Sequence, residues 1–216
     1  LRNGTAGAEE FDAAYDAFRR SFGYLETGRT YRLSNTQAGK ETLAISDNEK
    51  DTYLRHAADT WCNDAWEVTA AGINADWTQT VTLRNAATGR FVATRTAGRT
   101  DRIGHPVSMG TAGTGLVVTF DHEAADFTLA LDGKSLFPIP ETSRTYAGII
   151  SSGSTTHDDR DATRMNGNGW NIQEVRALTY VCQDEAGKAL GTFRRSCPVG
   201  EDATALVPEV KNHEKV

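Results

Sequence analysis

A short alternating pattern recurs three times along the chain, and this recurrence limits the fold more than any other feature. It occurs as Tyr-Arg-Leu-Ser-Asn at 31–35, Val-Thr-Leu-Arg-Asn at 81–85 and Phe-Thr-Leu-Ala-Leu at 127–131. Alternation with a period of two is typical of a half-buried β-strand. Because a single short hairpin is marginal in water, three related openings predict a structure built from three similar units.

Each opening is followed by three further candidate strands, so each unit has four. The second strands are predicted at 41–45, 90–94 and 134–139, the third at 53–56, 106–109 and 146–151, and the fourth in AWEVTA, GLVVTF and GWNIQEV. The central Leu of the opening precedes its fourth-strand counterpart by 33 positions in the first two units and by 41 in the third. The excess falls in a polar insertion, which a surface loop accommodates at small cost. We predict that these six positions fill the core: Leu33, Trp66, Leu83, Leu116, Leu129 and Trp170.

A second register is open for the last two units. In this register DFTLAL closes the second unit as the counterpart of DAWEV, and the third opening is shortened. The pattern alone does not choose between the two registers.

Three units of four short strands resemble the β-trefoil fold, and the resemblance spans residues 30 to 175. It implies a six-stranded barrel of first and fourth strands, capped at one end by hairpins of second and third strands. A closed barrel removes sheet edges, and a few apolar side chains fill its narrow interior. The expected fold class is therefore all-β, with an N-terminal amphipathic helix and a C-terminal β-hairpin extension.

Within the trefoils, the chain is similar to ricin-type sugar-binding modules and to modules attached to arabinofuranosidases. Ricin-type fourth strands carry Gln-x-Trp, where this chain has Asp-Ala-Trp at 64–66 and Asn-Gly-Trp at 168–170. YLRH at 53–56 and DAWEV at 64–68 are similar to the arabinofuranosidase-associated pattern. The second unit departs from the signature with Thr-Gly-Leu at 114–116.

The sequence patterns on either side of the repeated region differ from the pattern within it. This difference predicts three parts of the chain: 1–29, 30–176 and 177–216. Residues 8–22 place Phe11, Tyr15, Phe18 and Phe22 on one helical face, which predicts a surface for packing on a neighbouring domain. The last part has the pattern of a β extension or of the start of a following module. Cys182 and Cys197 lie in neighbouring candidate strands there, where a cross-strand disulfide and two free thiols are both open.

Charge and hydropathy limit the kinds of partner that the chain can bind. A net charge of −6 and a pI near 5.4 argue against nucleic acid, because phosphate binding relies on clustered Lys and Arg. No apolar run is long enough to insert into a membrane. Because the first residue is Leu, we expect a segment of a longer protein. The resemblance to sugar-binding modules implies a location outside the cell or at the cell surface, and we expect the chain to be a monomer.

Catalytic and cofactor signatures do not occur in the chain. It has no GxSxG, HExxH, phosphate-binding loop or dinucleotide fingerprint, and the acidic cluster at 157–161 lacks the order of a calcium loop. We therefore expect a non-catalytic chain without metal or cofactor. Hydrolysis by Asp158 and Asp159 is a third and weaker interpretation.

The trefoil resemblance implies shallow sugar sites near the second and third strands, built from an aromatic face and a few polar groups. The candidate carbohydrate-binding residues are Asp47, His56, Trp61 and Asn63 in the first unit, and Tyr146, His157, Asp158 and Asn168 in the third. The expected function is to anchor a larger secreted bacterial glycan-degrading enzyme to its glycan. The alternative is a structural spacer that contacts neighbouring domains of a bacterial surface protein.

Overall fold

We describe the fold from a computed structural model of the 216-residue chain. The structure describes residues 7, 10–11, 13–15, 18, 23–36, 41–45, 52–56, 63–93, 105–121, 123–140, 145–149 and 169–207. For residues 53–56, 105–106, 137–140, 145–149 and 205 it describes the backbone alone.

The described ranges contain fourteen strands and confirm the all-β class. The strands are β1 Thr30–Asn35, β2 Glu41–Ile45, β3 Thr52–His56, β4 Trp66–Ile73, β5 Gln79–Asn85, β6 Phe91–Ala93, β7 His105–Pro106, β8 Ser108–Gly110, β9 Leu116–Asp121, β10 Asp126–Leu131, β11 Lys134–Pro140, β12 Thr145–Ile149, β13 Gly169–Gln183 and β14 Ala189–Pro198. A 3-10 helix, Ala203–Leu206, follows the last strand. No helix in these ranges is long and apolar enough to cross a membrane.

Six strands pair in a closed cycle. The order is β1–β4–β5–β9–β10–β13, and β13 returns to β1 in antiparallel register, with Leu33 opposite Ile172. Closure gives every ring strand two neighbours, so these strands leave no free edge for pairing with another chain. The second and third strands pair outside the ring, as β2 with β3, β6 with β8 and β11 with β12.

The structure has the first of the two registers left open by the sequence. β9 closes the second unit and β10 opens the third, and the two pair over their full length from Asp126 opposite Asp121 to Leu131 opposite Leu116. DFTLAL is therefore an opening strand and not the counterpart of DAWEV.

The third strand of the second unit, predicted as one piece at 106–109, is divided in two. β7 pairs with β12 of the third unit, whereas β8 pairs with β6. The break is at Val107, whose carbonyl accepts bonds from the Thr52 backbone N–H at 2.9 Å and from the Thr52 hydroxyl at 3.3 Å. A carbonyl directed at Thr52 is not available to a continuous ladder, so the strand changes partner there.

The six predicted core residues are all buried, with at most 1% of each side chain exposed. Two of them also form hydrogen bonds. Trp66 Nε1 donates to the Leu43 carbonyl at 2.8 Å, and Trp170 Nε1 donates to the Leu136 carbonyl at 3.1 Å. In the first and third units, a ring-strand indole is therefore bonded to the second strand of its own unit. Leu116 holds the equivalent position in the second unit without such a donor.

The predicted N-terminal helix lies only partly within the described residues. Glu10, Phe11, 13–15 and Phe18 have helical backbone, and Phe11 stacks on Tyr15 with ring centroids 6.3 Å apart. Phe11, Tyr15 and Phe18 are about half exposed or more. The full extent of the helix stays a prediction, and Phe22 lies outside the described residues.

The C-terminal extension is a long hairpin continuous with the ring. β13 crosses the predicted boundary at 176/177 without a break, and its second half pairs with β14. The hairpin register places Cys182 opposite Gly191 and Cys197 opposite Arg176, so the two sulfurs are far apart along the ladder. Of the two alternatives the structure has free thiols: Cys182 is partly exposed and Cys197 is buried.

We expect Trp66→Phe to reduce the free energy of unfolding by about 2–4 kcal/mol, because it removes both the bond to Leu43 and part of the ring volume in a sealed core. Urea denaturation followed by circular dichroism measures the change. Trp77→Phe is the control, since Trp77 is 74% exposed and its replacement should change stability by less than about 0.5 kcal/mol. Equal losses in both variants would contradict the packing role of Trp66.

The two C-terminal thiols should differ in reactivity. We expect iodoacetamide to alkylate Cys182 in the native protein and Cys197 only after unfolding, because alkylation needs an accessible sulfur. Peptide mass spectrometry of the labelled protein distinguishes the two sites. Recovery of a peptide pair joined through Cys182 and Cys197 from a non-reducing digest would show that the hairpin register is wrong.

Candidate functional site

The turn between β4 and β5 presents an exposed tryptophan in a strained backbone. Trp77 has φ 66°, in the left-handed region, where a bulky side chain costs about 1–3 kcal/mol. Its side chain is 74% exposed, so core packing does not offset that cost. An exposed indole at a position that favours Gly or Asn points to a requirement other than stability.

The turn is fixed by its own polar side chains. The Trp77 N–H donates to the Asn74 carbonyl at 3.0 Å, and Asn74 Nδ2 donates to the hydroxyls of Thr78 at 2.8 Å and Thr80 at 3.0 Å. Tyr24 Oη also donates to the Trp77 carbonyl, at 2.9 Å. These bonds fix the backbone that carries the indole, so its position is pre-organised before any ligand arrives.

Asp76 lies next to Trp77 and supplies a carboxylate. Its Oδ1 accepts bonds from the Thr78 hydroxyl at 2.7 Å and from the Thr78 N–H at 3.1 Å. These two bonds hold the pKa of the Asp76 carboxyl below its usual value, so the group is ionised at neutral pH. Both bonds use Oδ1, and within the described residues Oδ2 remains available to accept from a ligand hydroxyl.

A cavity of about 240 Å³ lies beside this turn. Its walls come from the turn itself, from Gly23 and Tyr24 before the ring, and from Phe120 and Phe127 of β9 and β10. Phe120 and Phe127 pack with ring centroids 5.1 Å apart and form an apolar side to the cavity. The arrangement combines aromatic surface with a carboxylate and a phenol, which is the composition of a small polar-ligand site.

The segment before β1 is anchored against the ring by one buried amide. Gln79 Nε2 donates to the Leu25 carbonyl at 2.7 Å, and the Leu25 N–H donates to Gln79 Oε1 at 2.8 Å. Gly23 has φ 70°, and a Cβ there would lie 2.6 Å from the Phe127 ring. Only glycine allows Tyr24 to approach the Trp77 turn along this path.

Of the eight residues predicted from the sequence, the structure describes one in full. The Asn63 carbonyl accepts from Asn85 Nδ2 at 2.8 Å and from the Ile45 N–H at 3.3 Å, so its backbone joins the first two units. His56 and Tyr146 lie in β3 and β12, which are paired neighbours, and only their backbones are described. The remaining five lie outside the described residues: Asp47, Trp61, His157, Asp158 and Asn168.

The polar residue of the Asp-Ala-Trp signature has a structural role. Asp64 is 1% exposed, and its Oδ2 accepts from Arg32 Nε at 3.1 Å and from the Thr42 hydroxyl at 3.2 Å. These bonds occupy Oδ2 inside the first unit, and Oδ1 is buried without a partner among the described residues. Because the whole side chain is buried, Asp64 is not available to a ligand at the surface.

Sequence reasoning missed Trp77. The trefoil resemblance implies sites near the second and third strands, whereas Trp77 lies in the turn between β4 and β5. The available signal was a tryptophan inside Asn-Ala-Asp-Trp-Thr, a run of turn-forming residues in which a large aromatic side chain has no core to enter.

No cluster of three or more His, Cys, Asp or Glu side chains that could hold a metal ion occurs in the described ranges. The polar groups at the Trp77 turn can form hydrogen bonds with a ligand.

Comparison of this chain with known proteins gives matches among solved structures. No family model and no curated protein matches it. One solved structure that it is similar to is the Polyporus squamosus lectin bound to the human-type influenza-binding epitope Neu5Aca2-6Galb1-4GlcNAc, at 17% identity and a TM-score of 0.49, over 73% of this chain and 52% of that chain. A second, described as the PSL1a-E64 complex, has 17% identity and a TM-score of 0.45, over 73% of this chain and 50% of that one. The chain spans about half the length of each.

If strain at Trp77 is maintained for binding, relieving it should stabilise the protein. We expect Trp77→Asn to raise the free energy of unfolding by about 0.5–1 kcal/mol, because Asn tolerates a left-handed backbone far better than Trp. Urea denaturation monitored by circular dichroism checks this. Trp77→Ala lacks the short polar side chain that lets Asn hydrogen-bond the local backbone, so it should give no comparable gain. A loss of stability in Trp77→Asn would mean that the indole contributes to packing.

Proposed function

We propose that the chain is a non-catalytic carbohydrate-binding module of the β-trefoil type and that Trp77 is its aromatic platform. The observation that carries the proposal is an indole that is 74% exposed and held in a strained, hydrogen-bonded turn beside a cavity. Selection for stability alone would remove such a residue, because the same turn accommodates Asn or Gly at lower cost.

The pairing pattern supports the trefoil assignment. Six ring strands and three outer hairpins agree in number and order with the first-and-fourth, second-and-third division of that fold. The bonds of Trp66 to Leu43 and of Trp170 to Leu136 repeat between the first and third units, which is the relation expected of internal repeats.

The groups at the site match what a sugar offers. One face of a pyranose is made of C–H groups and packs on a flat aromatic surface, whereas its rim consists of hydroxyls. Trp77 supplies the aromatic surface. The ionised Asp76 accepts from hydroxyls with charge-assisted bonds, which are shorter and stronger than neutral ones. Tyr24 lies within reach to accept a further bond at its Oη.

Further sites belong to the same proposal. The sequence-derived residues of the first and third units, including Trp61 and His157, would form additional shallow sites near the second and third strands. Several weak sites on one module increase effective concentration at a polymer surface. Such a module would anchor a larger secreted glycan-degrading enzyme of bacterial origin to its substrate, as a monomer outside the cell.

The alternative is a structural spacer, and one observation favours it. Phe11, Tyr15 and Phe18 expose aromatic surface on helical backbone, and Phe11 and Tyr15 stack on each other. Clustered exposed aromatics are typical of surfaces that contact another protein. In a spacer, these residues and the C-terminal hairpin would contact neighbouring domains and no glycan would bind.

Binding of a glycan should depend on Trp77. A glycan array with plant, host and microbial sugars identifies a ligand, and titration calorimetry measures its dissociation constant for each variant. We expect Trp77→Ala to lose about 1–2 kcal/mol of binding free energy, roughly five- to thirtyfold in affinity, because stacking is removed. Trp77→Phe should retain most of the binding.

Phe11→Ala is the matched control, because it removes an exposed aromatic side chain that does not line the cavity. The control should bind like the unmodified chain. Absence of binding to every sugar on the array, or equal binding by Trp77→Ala, would remove the proposal and favour the spacer.

A further inference from the structure

A second cavity, of about 170 Å³, lies between the C-terminal hairpin and the ring. One wall is the hairpin, with Thr179 on β13 and its cross-strand neighbour Arg194 on β14, followed by Arg195. The opposite wall consists of the segment 63–65 before β4 and the turn after β5, including Asn63 and Ala87. Neither the Trp77 site nor the ring interior contributes to it.

Both walls are fixed in place. The Ala86 N–H donates to the Ala65 carbonyl at 2.9 Å, and the Ala87 N–H donates to Asn85 Oδ1 at 3.1 Å, so the ring-side wall is tied together. Arg32 then joins the two walls. Its Nε contacts Asp64 Oδ2 at 3.1 Å and its Nη2 donates to the Ser196 carbonyl at 2.6 Å. Asp64 and Ser196 are direct neighbours of Asn63 and Arg195, so the width of the cavity is set before a ligand arrives.

The cavity is a positive region in an acidic protein. The chain has a net charge of −6, yet the lining residues of this cavity include two arginines and no Asp or Glu. The nearest carboxylate in sequence, Asp64, is paired with Arg32. Among the described residues the Arg194 side chain forms no ion pair or hydrogen bond, and an exposed guanidinium in a fixed concave surface is available for an anion.

We propose that this cavity is an anion subsite that binds the carboxylate of an acidic sugar residue, and the assignment of a sugar rests on the proposed function. A guanidinium binds a carboxylate through two parallel N–H bonds, and the amide of Asn63 can donate to a neighbouring oxygen. The alanines of the ring-side wall leave room for a ring and supply apolar surface for it. The volume is below the roughly 300–1,000 Å³ of sites for larger ligands, so a single sugar residue is the fitting size.

The subsite is separate from the Trp77 site. Gln79 at the start of β5 lines the first cavity, whereas Ala87 just beyond its end lines the second. Six residue steps along a strand span about 20 Å, which is longer than one sugar residue. The two sites can therefore be tested independently on one chain.

The test compares a uronic acid with its neutral ester. Glucuronate, galacturonate and the methyl ester of each are titrated separately into the ¹⁵N-labelled chain. The chemical shifts of the backbone amides are followed by NMR at low and at physiological salt. We expect shifts at Ala87 and Thr179, and about three- to tenfold tighter binding of the acid than of the ester at low salt, because an exposed charge-assisted pair has a modest, screened effect.

Arg194→Gln should lose the preference for the acid. Lys188→Gln is the matched control: it removes the same charge from the turn of the same hairpin, outside the cavity, and should keep the preference. An unchanged amide spectrum shows that each variant is folded. Equal loss in both variants, or the absence of shifts at Ala87 and Thr179, would overturn the proposal. Inorganic sulfate binding as tightly as the uronates would show a site for any anion and overturn the assignment to a sugar.

The outcome is distinguishable from failure of the proposed function. Trp77→Ala should leave the uronate shifts at Thr179 intact while it weakens binding of the neutral glycan found on the array. Neutral binding that depends on Trp77, without any preference for the acid, would remove the anion subsite alone. Absence of neutral binding by the unmodified chain, together with uronate shifts at Thr179, would remove the Trp77 site alone.

Discussion

The structure depends on two buried indoles that fill the ring and form hydrogen bonds to the hairpins outside it. Trp66 and Trp170 are the largest of the fully buried side chains, and each donates its N–H to a carbonyl of the second strand in its own unit. An indole buried without a partner would leave a polar N–H in an apolar interior at a cost of about 1–3 kcal/mol. The paired N–H removes that cost and fixes the position of the outer hairpin. In two of the three units, one tryptophan thus both fills the core and orients the outer hairpin.

The rigid ring stabilises the strained turn at its end. Trp77 adopts a backbone conformation that local preferences disfavour, and it persists because β4 and β5 on either side are paired along nearly their whole length. The bonds of Asn74 and Tyr24 then direct the turn. Strain of this kind is stored where the surrounding structure over-determines the backbone, and it is found preferentially at ligand sites. The stability of the ring therefore allows the strained turn to keep the indole exposed.

Much of the fold followed from periodicity, and little of the site did. Alternation with a period of two located the three openings and all six core positions, because burial on one face of a strand leaves a direct trace in the sequence. The break at Val107 left no such trace, since it depends on a carbonyl captured by Thr52 from another unit. The sequence around Trp77 has a turn-forming pattern, but the bond from Tyr24, which is distant in sequence, leaves no trace in that pattern. The disulfide question required the hairpin register, which composition does not specify.

The C-terminal hairpin is held against the ring at several points. β13 pairs within the ring up to Glu174 and pairs with β14 from Val175 onward, so the ring and the hairpin share one continuous strand. Arg29 pairs with Glu174 at 2.9 Å and the Val199 N–H donates to the Glu174 carbonyl at 3.1 Å, which ties the strand to β1 on one side and to the hairpin end on the other. Arg32 repeats this connection inside, through Ser196. A hairpin held at this many points cannot rotate freely about residue 176. The concave surface between it and the ring is consequently a fixed feature of the molecule, and it holds the exposed Arg194 and the partly buried Arg195 in one defined arrangement.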